Sequence, residues 1–272
     1  MADALNTRNM AVYCDFENVA RGVDDANYAA FDIANVLERL LLKGNIVVKK
    51  AYCDWDRYKK FKPAMHEAAF ELIEIPHLRQ SGKNSADIRM VVDALDLCYT
   101  KSHVDTFVII SGDSDFSALV SKLRENNKLV IGVGVKNSTS DLLTSNCDEF
   151  IYYDDLVRVK EAGQQRKTQR KSAKKSTPAN TELSVEEKRQ SAIDLVMETI
   201  EDLFEERGAQ GKVWGSMVKQ ALKRRKPGFS ESYHSFRSFG GLLEEAQARG
   251  LLELEHDEKS GGYIIRRYIS EE

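Results

Sequence analysis

Short apolar runs alternate with stretches of helical periodicity along the first 155 residues of the chain. Runs rich in β-branched residues predict strands, and apolar residues spaced three and four apart predict the helices between them. Six strands are predicted, at residues 10–14, 45–53, 72–75, 106–110, 128–135 and 149–153. Because strands and helices alternate, we predict an α/β fold with a doubly wound parallel sheet.

The helices predicted between these strands lie at residues 31–42, 56–71, 85–97, 117–127 and 138–143. Residues 19–30 are predicted to form a loop, as is the polar segment 77–85. Ser85 at the end of that segment can cap the helix that follows it.

The periodicity stops after residue 155 and resumes near residue 184. Gln, Lys, Arg, Ser and Thr dominate the intervening stretch, which predicts a flexible linker. Three helices follow, at residues 184–204, 212–223 and 235–248, and then two short strands at 251–254 and 263–267. Three helices followed by a hairpin predict a winged helix. We therefore predict domains at 8–155 and 184–270, joined by a linker at 156–183.

Charge sharpens this division. The net charge is only −3, but residues 156–183 carry 8 Lys or Arg against 2 Asp or Glu. The predicted linker is therefore a basic island, which suits a non-specific phosphate tether, a localisation signal or a merely solubilising segment.

The remaining composition excludes several protein classes. No apolar run approaches the roughly 20 residues of a membrane helix, and the polar N-terminus has no signal-peptide core. We therefore expect a cytoplasmic protein with no membrane partner. The four cysteines contain no CxxC pair, so reduced core thiols are expected rather than a zinc site or disulfides.

Carboxylates follow two of the predicted strands at the point where each strand ends. Asp15 follows the first strand, and Asp113 and Asp115 follow the fourth, while Asp87 opens a helix beside them. Ligands of open α/β sheets bind at the carboxyl ends of the strands. Clustered carboxylates repel one another unless a cation lies between them. The sequence therefore predicts that Asp15, Asp87 and Asp113 bind Mg²⁺ or Mn²⁺, directly or through water. Asp115 is predicted to be a further ligand or a general base, and all four aspartates are predicted to be catalytic.

Four further residues are candidates for the same site. Asn18 is expected to hold a water or a phosphate oxygen, Ser111 to bond Asp15 or the substrate, and Lys83 to meet a phosphate. Glu17 alternates with Asp15 and is a weaker candidate. Simpler roles stay open, since Asp115 can cap a helix, Asp87 can favour its helix dipole, and Lys83 can be a surface lysine.

Two other aspartates of the same helix, Asp93 and Asp96, are expected to be solvated. No Walker or dinucleotide-binding glycine motif is present, and the five histidines are scattered.

Three segments in this order resemble the NYN domain family, a branch of the PIN-like nucleases. They are residues 12–18, 83–87 and 111–116, and residues 147–151 also fit. The resemblance covers roughly residues 8–155 and implies a PIN-like, metal-dependent ribonuclease. It implies that Asp15, Asp87, Asp113 and Asp115 hold the family's acidic positions and Asn18 its polar one. Some family members are thought to bind RNA without cutting it.

The C-terminal unit resembles a LOTUS (OST-HTH) winged-helix domain through residues 215–222, 227–233 and 236–246. The resemblance implies RNA binding or docking onto an RNA helicase. Independently, a basic run followed by Phe229 and Tyr233 suits RNA, because cations hold phosphates and rings stack on bases. The basic run comprises Lys223, Arg224, Arg225 and Lys226. A solvated helix end is the simpler alternative.

Together these features predict a metal-dependent ribonuclease with a C-terminal domain that binds RNA or a protein partner. A catalytically silent RNA-binding regulator is the first alternative. A phosphatase or phosphotransferase is the second, because an aspartate at the end of the first strand is a nucleophile in other α/β folds. The sequence leaves a homodimer open.

Overall fold

The computed structural model of the protein describes residues 8–75, 85–161, 184–208, 212–258 and 261–268. These residues form two compact units. The first holds a six-stranded sheet and its helices, and the second holds three helices and a three-stranded sheet.

The six strands of the first unit are all parallel to their neighbours. They are β1 Arg8–Asp15, β2 Gly44–Cys53, β3 Glu71–Glu74, β4 Thr106–Ile110, β5 Leu129–Gly134 and β6 Glu149–Tyr152. Their order in the sheet is β3-β2-β1-β4-β5-β6. The prediction of a doubly wound parallel sheet is confirmed, and the strand order reverses between β1 and β4.

Helices connect the strands and cover both faces of the sheet. They are α1 Phe16–Asp25, α2 Ile33–Lys43, α3 Lys62–Glu67, α4 Ser85–Thr100, α5 Ser117–Glu125, α6 Asp141–Asn146 and α7 at residues 153–161. Three 3₁₀ turns add Lys59–Phe61, Ser114–Phe116 and Lys136–Ser138.

The core lies on both sides of the sheet because alternate strand residues point to opposite faces. In β1, Met10, Val12 and Cys14 belong to one apolar cluster. Ala11 and Tyr13 belong to the other. All five are completely buried, which explains why residues 10–14 of β1 are apolar without alternation.

The predicted loop at residues 19–30 is wrong, because residues 16–25 form α1. Phe16, Val19, Ala20 and Val23 are buried along one face of this helix, at the spacing of a helix that packs on a core. The Asp15 side chain accepts the Asn18 amide and caps the helix.

Two other segments differ from expectation. The helix predicted over residues 56–71 is confined to the turn Lys59–Phe61 and to α3, and residue 71 already belongs to β3. Residues 156–161 of the predicted linker are helical and continue α7. The remainder of that segment, 162–183, lies outside the described residues.

The second unit contains α8 Val185–Arg207, α9 Gly215–Arg225 and α10 Phe239–Ala248. Its antiparallel sheet, in the order β7-β9-β8, comprises β7 Val213–Trp214, β8 Leu252–Asp257 and β9 Gly262–Tyr268. A capping box begins α8, because Ser184 and Glu187 each bond the other's backbone amide. The short strand β7 was not predicted.

Within the residues that the structure describes, no helix is long and apolar enough to cross a membrane. The four cysteines are free, and Cys14, Cys53 and Cys98 are buried, with Cys147 half-buried. Burial raises the pKa of the Cys14 thiol well above its ordinary value. These thiols are therefore core residues.

Candidate active site

The carboxyl ends of β1 and β4 bring Asp15 and Ser111 together at the point where the strand order reverses. Cys14 pairs with Ile110, so the next residue of each strand lies side by side. Ser111 Oγ donates a hydrogen bond of 3.0 Å to Asp15 Oδ2. Ser111 is completely buried, so of its two predicted partners it bonds Asp15 rather than a substrate.

The turn after β4 places Asp113 beside this pair. The Asp113 amide donates to Ser111 Oγ at 3.2 Å, and Asp113 Oδ1 accepts the Asp115 amide at 3.0 Å. Asp113 therefore caps the following 3₁₀ turn, a role that the sequence had offered to Asp115. Asp115 itself is exposed.

Asn18 locks the start of α1 onto the same turn. Its Oδ1 accepts the Gly112 amide at 2.9 Å, and its backbone amide donates to Asp15 Oδ1 at 3.3 Å. The Asn18 side-chain nitrogen takes no part in these bonds. The NH₂ group of this side chain is therefore the part with no protein partner among these bonds, and it can donate to a water or a phosphate oxygen.

Gly112 is required by this close packing. A Cβ atom at residue 112 would lie 2.2 Å from the backbone oxygen of Ser138, and the Gly112 oxygen accepts the Ser140 amide at 2.9 Å. Backbone on both sides cannot move aside as a flexible side chain would.

We predict that Gly112→Ala costs about 1–3 kcal/mol in unfolding free energy, as overpacking does, and lowers activity by displacing Asp113. The matched control is Gly228→Ala, because a Cβ atom there meets nothing within 4 Å. Denaturant unfolding of both variants is the measurement. Equal stability of the two would contradict the close approach.

The third carboxylate, Asp87, opens α4 near the turn after β4. Burial, then the charges of Asp113, Asp115 and Glu17, raises the pKa of Asp87 to about 6. Asp15 is only 7% exposed, and burial followed by the charge of Asp87 raises its pKa to about 7. The bonds from Asn18 and Ser111 oppose that rise. Without a cation, the site therefore holds carboxylates that resist ionisation.

Two arginines that pair with Glu17 were not predicted. Glu17 pairs with Arg21 one turn along α1, and with Arg57 Nη1 at 3.5 Å. Both arginines are more than 45% exposed. The pair of Glu17 and Arg21 could have been predicted from the sequence, because residues four apart are neighbours on a helix. Arg57 is 40 residues from Glu17, so only the fold reveals that contact.

Asp93 is not solvated as predicted. Its carboxylate is 13% exposed and accepts the Tyr52 hydroxyl at 2.9 Å. It also accepts Arg89 Nε at 3.1 Å and lies 3.5 Å from Lys50 Nζ. Asp93 thus joins α4 to β2 and is a structural residue.

The predicted RNA-binding residues of the second unit are only partly accessible. Lys223 and Lys226 are exposed, Arg224 is half-buried, and Arg225 pairs with Asp202 of α8. Phe229 is buried and stacks on His234, so it cannot stack on a base as predicted. Phe236 and Phe239 are also buried.

Tyr233 stays exposed, with Lys188 Nζ 5.2 Å from its ring centroid. Lys83 lies outside the described residues, so its contact with a phosphate stays a prediction.

A comparison of the sequence with known protein families gives a match over the part of the chain that holds these strand-end carboxylates. The profile of the NYN domain matches residues 9–154, more than half of the chain. The chain belongs to the NYN domain family. NYN domains are members of the PIN-like nuclease fold, and the α/β sheet of the first unit is consistent with it.

Three similar proteins extend this finding. A meiosis regulator and mRNA stability factor of Xenopus tropicalis is 25% identical over 152 residues, which cover 56% of this chain and 9% of that protein. An uncharacterised protein of Methanocaldococcus jannaschii is 28% identical over 120 residues, covering 44% and 47%. The chain therefore spans less than half the length of either relative.

The third is a crystal structure of a Vibrio parahaemolyticus protein of unknown function. It superposes with a TM-score of 0.50 at 26% identity, covering 57% of this chain and 98% of that one. The likeness therefore includes nearly all of the Vibrio protein.

The donor set of this NYN domain suits a hard divalent cation that keeps water ligands. In the described parts of the chain, no three His, Cys, Asp or Glu side chains converge enough to hold a metal ion. Mg²⁺, however, is usually bound by one or two carboxylates, several waters and substrate phosphates. The repelling carboxylates of Asp15, Asp87 and Asp113 fit such a site and not an all-protein cage.

Proposed function

We propose that this chain is a metal-dependent ribonuclease that hydrolyses RNA phosphodiester bonds. The observation that carries the proposal is the buried Asp15 carboxylate, which faces the charges of Asp87 and Asp113 where the strand order reverses. Burying negative charges together is costly unless a cation joins them. Membership of the NYN family and the name of the Xenopus mRNA stability factor support RNA as the substrate.

The residues of the site divide the work. Asp15 and Asp113, with Asp87, would hold Mg²⁺ or Mn²⁺, and Asp115, which is exposed, would be a further ligand or orient water. Ser111 and the Asn18 amide fix the orientation of Asp15. When bound, the ion would supply a Lewis acid that neutralises the phosphate and lowers the pKa of water.

The substrate phosphates need cations, because the first unit is acidic, with 18 Lys or Arg against 24 Asp or Glu in residues 1–155. Arg21 and Arg57 pair with Glu17, whose charge also acts on Asp87, and both are more than 45% exposed. We therefore propose that they meet a substrate phosphate. Arginine forks suit phosphate oxygens. Lys83 is proposed for the same role.

The second unit is proposed to be a LOTUS-type winged helix that brings RNA or an RNA helicase to the first. Three helices and a three-stranded antiparallel sheet support this. Lys223 and Lys226 are exposed and would hold phosphates, whereas Arg225 pairs with Asp202 and Arg224 is half-buried. Tyr233 is the exposed ring that could stack on a base. We propose a cytoplasmic location for the whole protein.

A catalytically silent RNA-binding regulator is the second candidate. One observation favours it, because the described residues hold no preformed three-ligand metal site. In that case RNA would bind equally well with and without a divalent ion.

The deciding experiment incubates the full chain with a panel of single-stranded and structured RNAs in Mn²⁺, Mg²⁺ or EDTA. We expect cleavage only with a divalent ion, and loss of cleavage by on the order of a hundredfold or more in Asp113→Asn. Asp141→Asn, on α6, is the matched control and should cut normally. An uncut panel with Mn²⁺, or an active Asp113→Asn, would refute the ribonuclease. Normal RNA binding without cleavage would support the silent regulator.

A further inference from the structure

The outer face of α4 carries an apolar stripe. Ile88, Val92 and Tyr99 are 64%, 56% and 65% exposed, and Leu95 between them is half-buried. Their spacing of four, three and four residues puts all four on one side of the helix. The opposite side of α4 is the one that packs into the core, through Met90, Ala94 and Cys98. Ile88, Val92 and Tyr99 therefore face away from their own sheet, while Leu95 also packs partly against the core cluster beneath the helix.

The two longest undescribed segments of the chain carry few large apolar side chains that could cover this stripe. Residues 162–183 contain one large apolar residue, Leu183, and residues 76–84 also contain one, Leu78. Covering four apolar residues at 4-3-4 spacing requires a partner with a similar stripe.

We infer that this stripe is a homodimer interface, in which α4 of one copy packs antiparallel against α4 of a second copy. In an isologous interface the same surface of both copies must fit against itself, and the apolar stripe of α4 meets this condition. With Val92 facing Leu95 of the other copy, Ile88 faces Tyr99 at each end. All four apolar residues of each copy then contact an apolar residue of the other copy.

The charges beside the stripe complement each other in the same register. Arg89 and Asp96 are exposed and lie along the same edge of the stripe, seven residues apart. In an antiparallel pair the residues along one edge meet those of the same edge in the other copy. Arg89 of each copy therefore meets Asp96 of the other, and the interface gains two ion pairs. A parallel pair would instead place this edge against the opposite edge of the other helix, where Val91 and Cys98 lie, and would form neither ion pair.

Arg89 can make this contact without abandoning the monomer. It pairs with Asp93 through Nε, and its two terminal nitrogens take no part in that bond. Asp93 is also held by Tyr52 and Lys50, so it does not depend on Arg89.

The dimer has a consequence for the carboxylates at the start of α4. At a rise of 1.5 Å per residue, the two Asp87 residues would lie roughly 20 Å apart along the helix axis. One helix per copy makes a small interface, so we expect a reversible dimer with a dissociation constant on the order of micromolar.

The test is sedimentation equilibrium of the full chain over a range of concentrations. The wild type should be a monomer–dimer mixture. Val92→Glu should be monomeric at every concentration. Tyr99→Ser should weaken the dimer but to a lesser degree. Leu142→Glu, an equally exposed apolar residue on α6, is the control and should still dimerise. Circular dichroism melts establish that each variant is folded.

Charge exchange decides the register. Arg89→Asp and Asp96→Arg should each weaken the dimer about tenfold or more, because each then faces a like charge. The double variant restores opposite pairs and should recover most of the affinity. A monomeric wild type, a dimer that tolerates Val92→Glu, or a double variant as weak as the single ones would overturn the inference. None of these outcomes depends on RNA cleavage.

Discussion

Replacing Asp15 with asparagine should abolish RNA cleavage and also make the metal-free protein more stable at alkaline pH. Activity should fall by on the order of a hundredfold or more, since a charge aimed at the reacting phosphate is lost. Stability should rise because asparagine has no charge to bury. It can still accept the Asn18 amide that caps α1 and pair with Ser111. The opposite signs of the two effects distinguish a functional carboxylate from a structural one.

The direction of the pH dependence follows from the pKa of Asp15. Burial and then Asp87 raise this pKa to about 7 in the folded protein, against about 4 in an unfolded chain. The folded state therefore binds the proton more tightly. The stabilisation is fully present below about pH 4 and is lost as the pH rises to about 7.

In EDTA, the advantage of Asp15→Asn over the wild type should therefore grow by about 2–3 kcal/mol between about pH 5 and about pH 8.5. The two tryptophans, Trp55 and Trp214, lie one in each unit. Denaturant unfolding followed by Trp55 fluorescence in a Trp214→Phe background thus reports on the first unit.

Asp24→Asn, an exposed aspartate on α1, is the control and should follow the wild type within about 0.5 kcal/mol. Mn²⁺ should raise the melting temperature of the wild type more than that of Asp15→Asn. An Asp15→Asn variant that cuts RNA normally, or that is destabilised at high pH, would contradict the role assigned to Asp15.

The positions of Asp15 and Asp113 could be predicted because two local signals coincide. Each aspartate ends an apolar run, and parallel strands end at one edge of the sheet. The neighbouring order of β1 and β4 then followed from the usual doubly wound arrangement, and the strand pairing confirms it. The metal itself stays a prediction.

What sequence reasoning missed depends on contacts between distant residues. Arg57 meets Glu17, and Asp93 meets Tyr52, through pairings that leave no local pattern. Phe229 is adjacent to a basic run, which favoured an exposed ring, but its own packing against His234 buries it.

Helix α1 is a different kind of failure, since its signal was present. Its buried residues have the spacing of a packed helix, but residues 19–30 also contain the acidic pair Asp24 and Asp25, which is typical of a polar loop. Asp15 was considered as a metal ligand and not as a helix cap. In the structure the carboxylate caps the helix with one oxygen and bonds Ser111 with the other.

Phe16 is the residue that makes α1 part of the core, and Phe16→Ala should destabilise the first unit by about 3–5 kcal/mol. The ring is completely buried. Four other rings surround it at centroid distances of 5.0–5.9 Å, namely Phe31, Trp55, Tyr58 and Phe61. Removing the ring leaves a cavity that these rigid neighbours cannot fill.

The same substitution should reduce cleavage in protein that is still folded. Asp15 and Asn18 bracket Phe16 in sequence, and both depend on where α1 begins. A displacement of about 1 Å in such groups can cost on the order of a hundredfold in rate. Phe16→Leu keeps an apolar side chain in the cavity and should cost about 1.5 kcal/mol or less, with most of the cleavage retained.

Both variants are measured by Trp55 fluorescence in the Trp214→Phe background, and by RNA cleavage well below the unfolding midpoint. A Phe16→Ala variant as stable as Phe16→Leu would mean that α1 does not pack on the aromatic cluster. Full activity in a destabilised Phe16→Ala variant would instead mean that the position of Asp15 does not depend on the packing of α1. Phe16 lies next to Asp15, whose carboxylate caps α1, and it packs that helix on the core, so we expect Phe16→Ala to lower both stability and activity. For Asp15→Asn we expect stability to rise while activity falls.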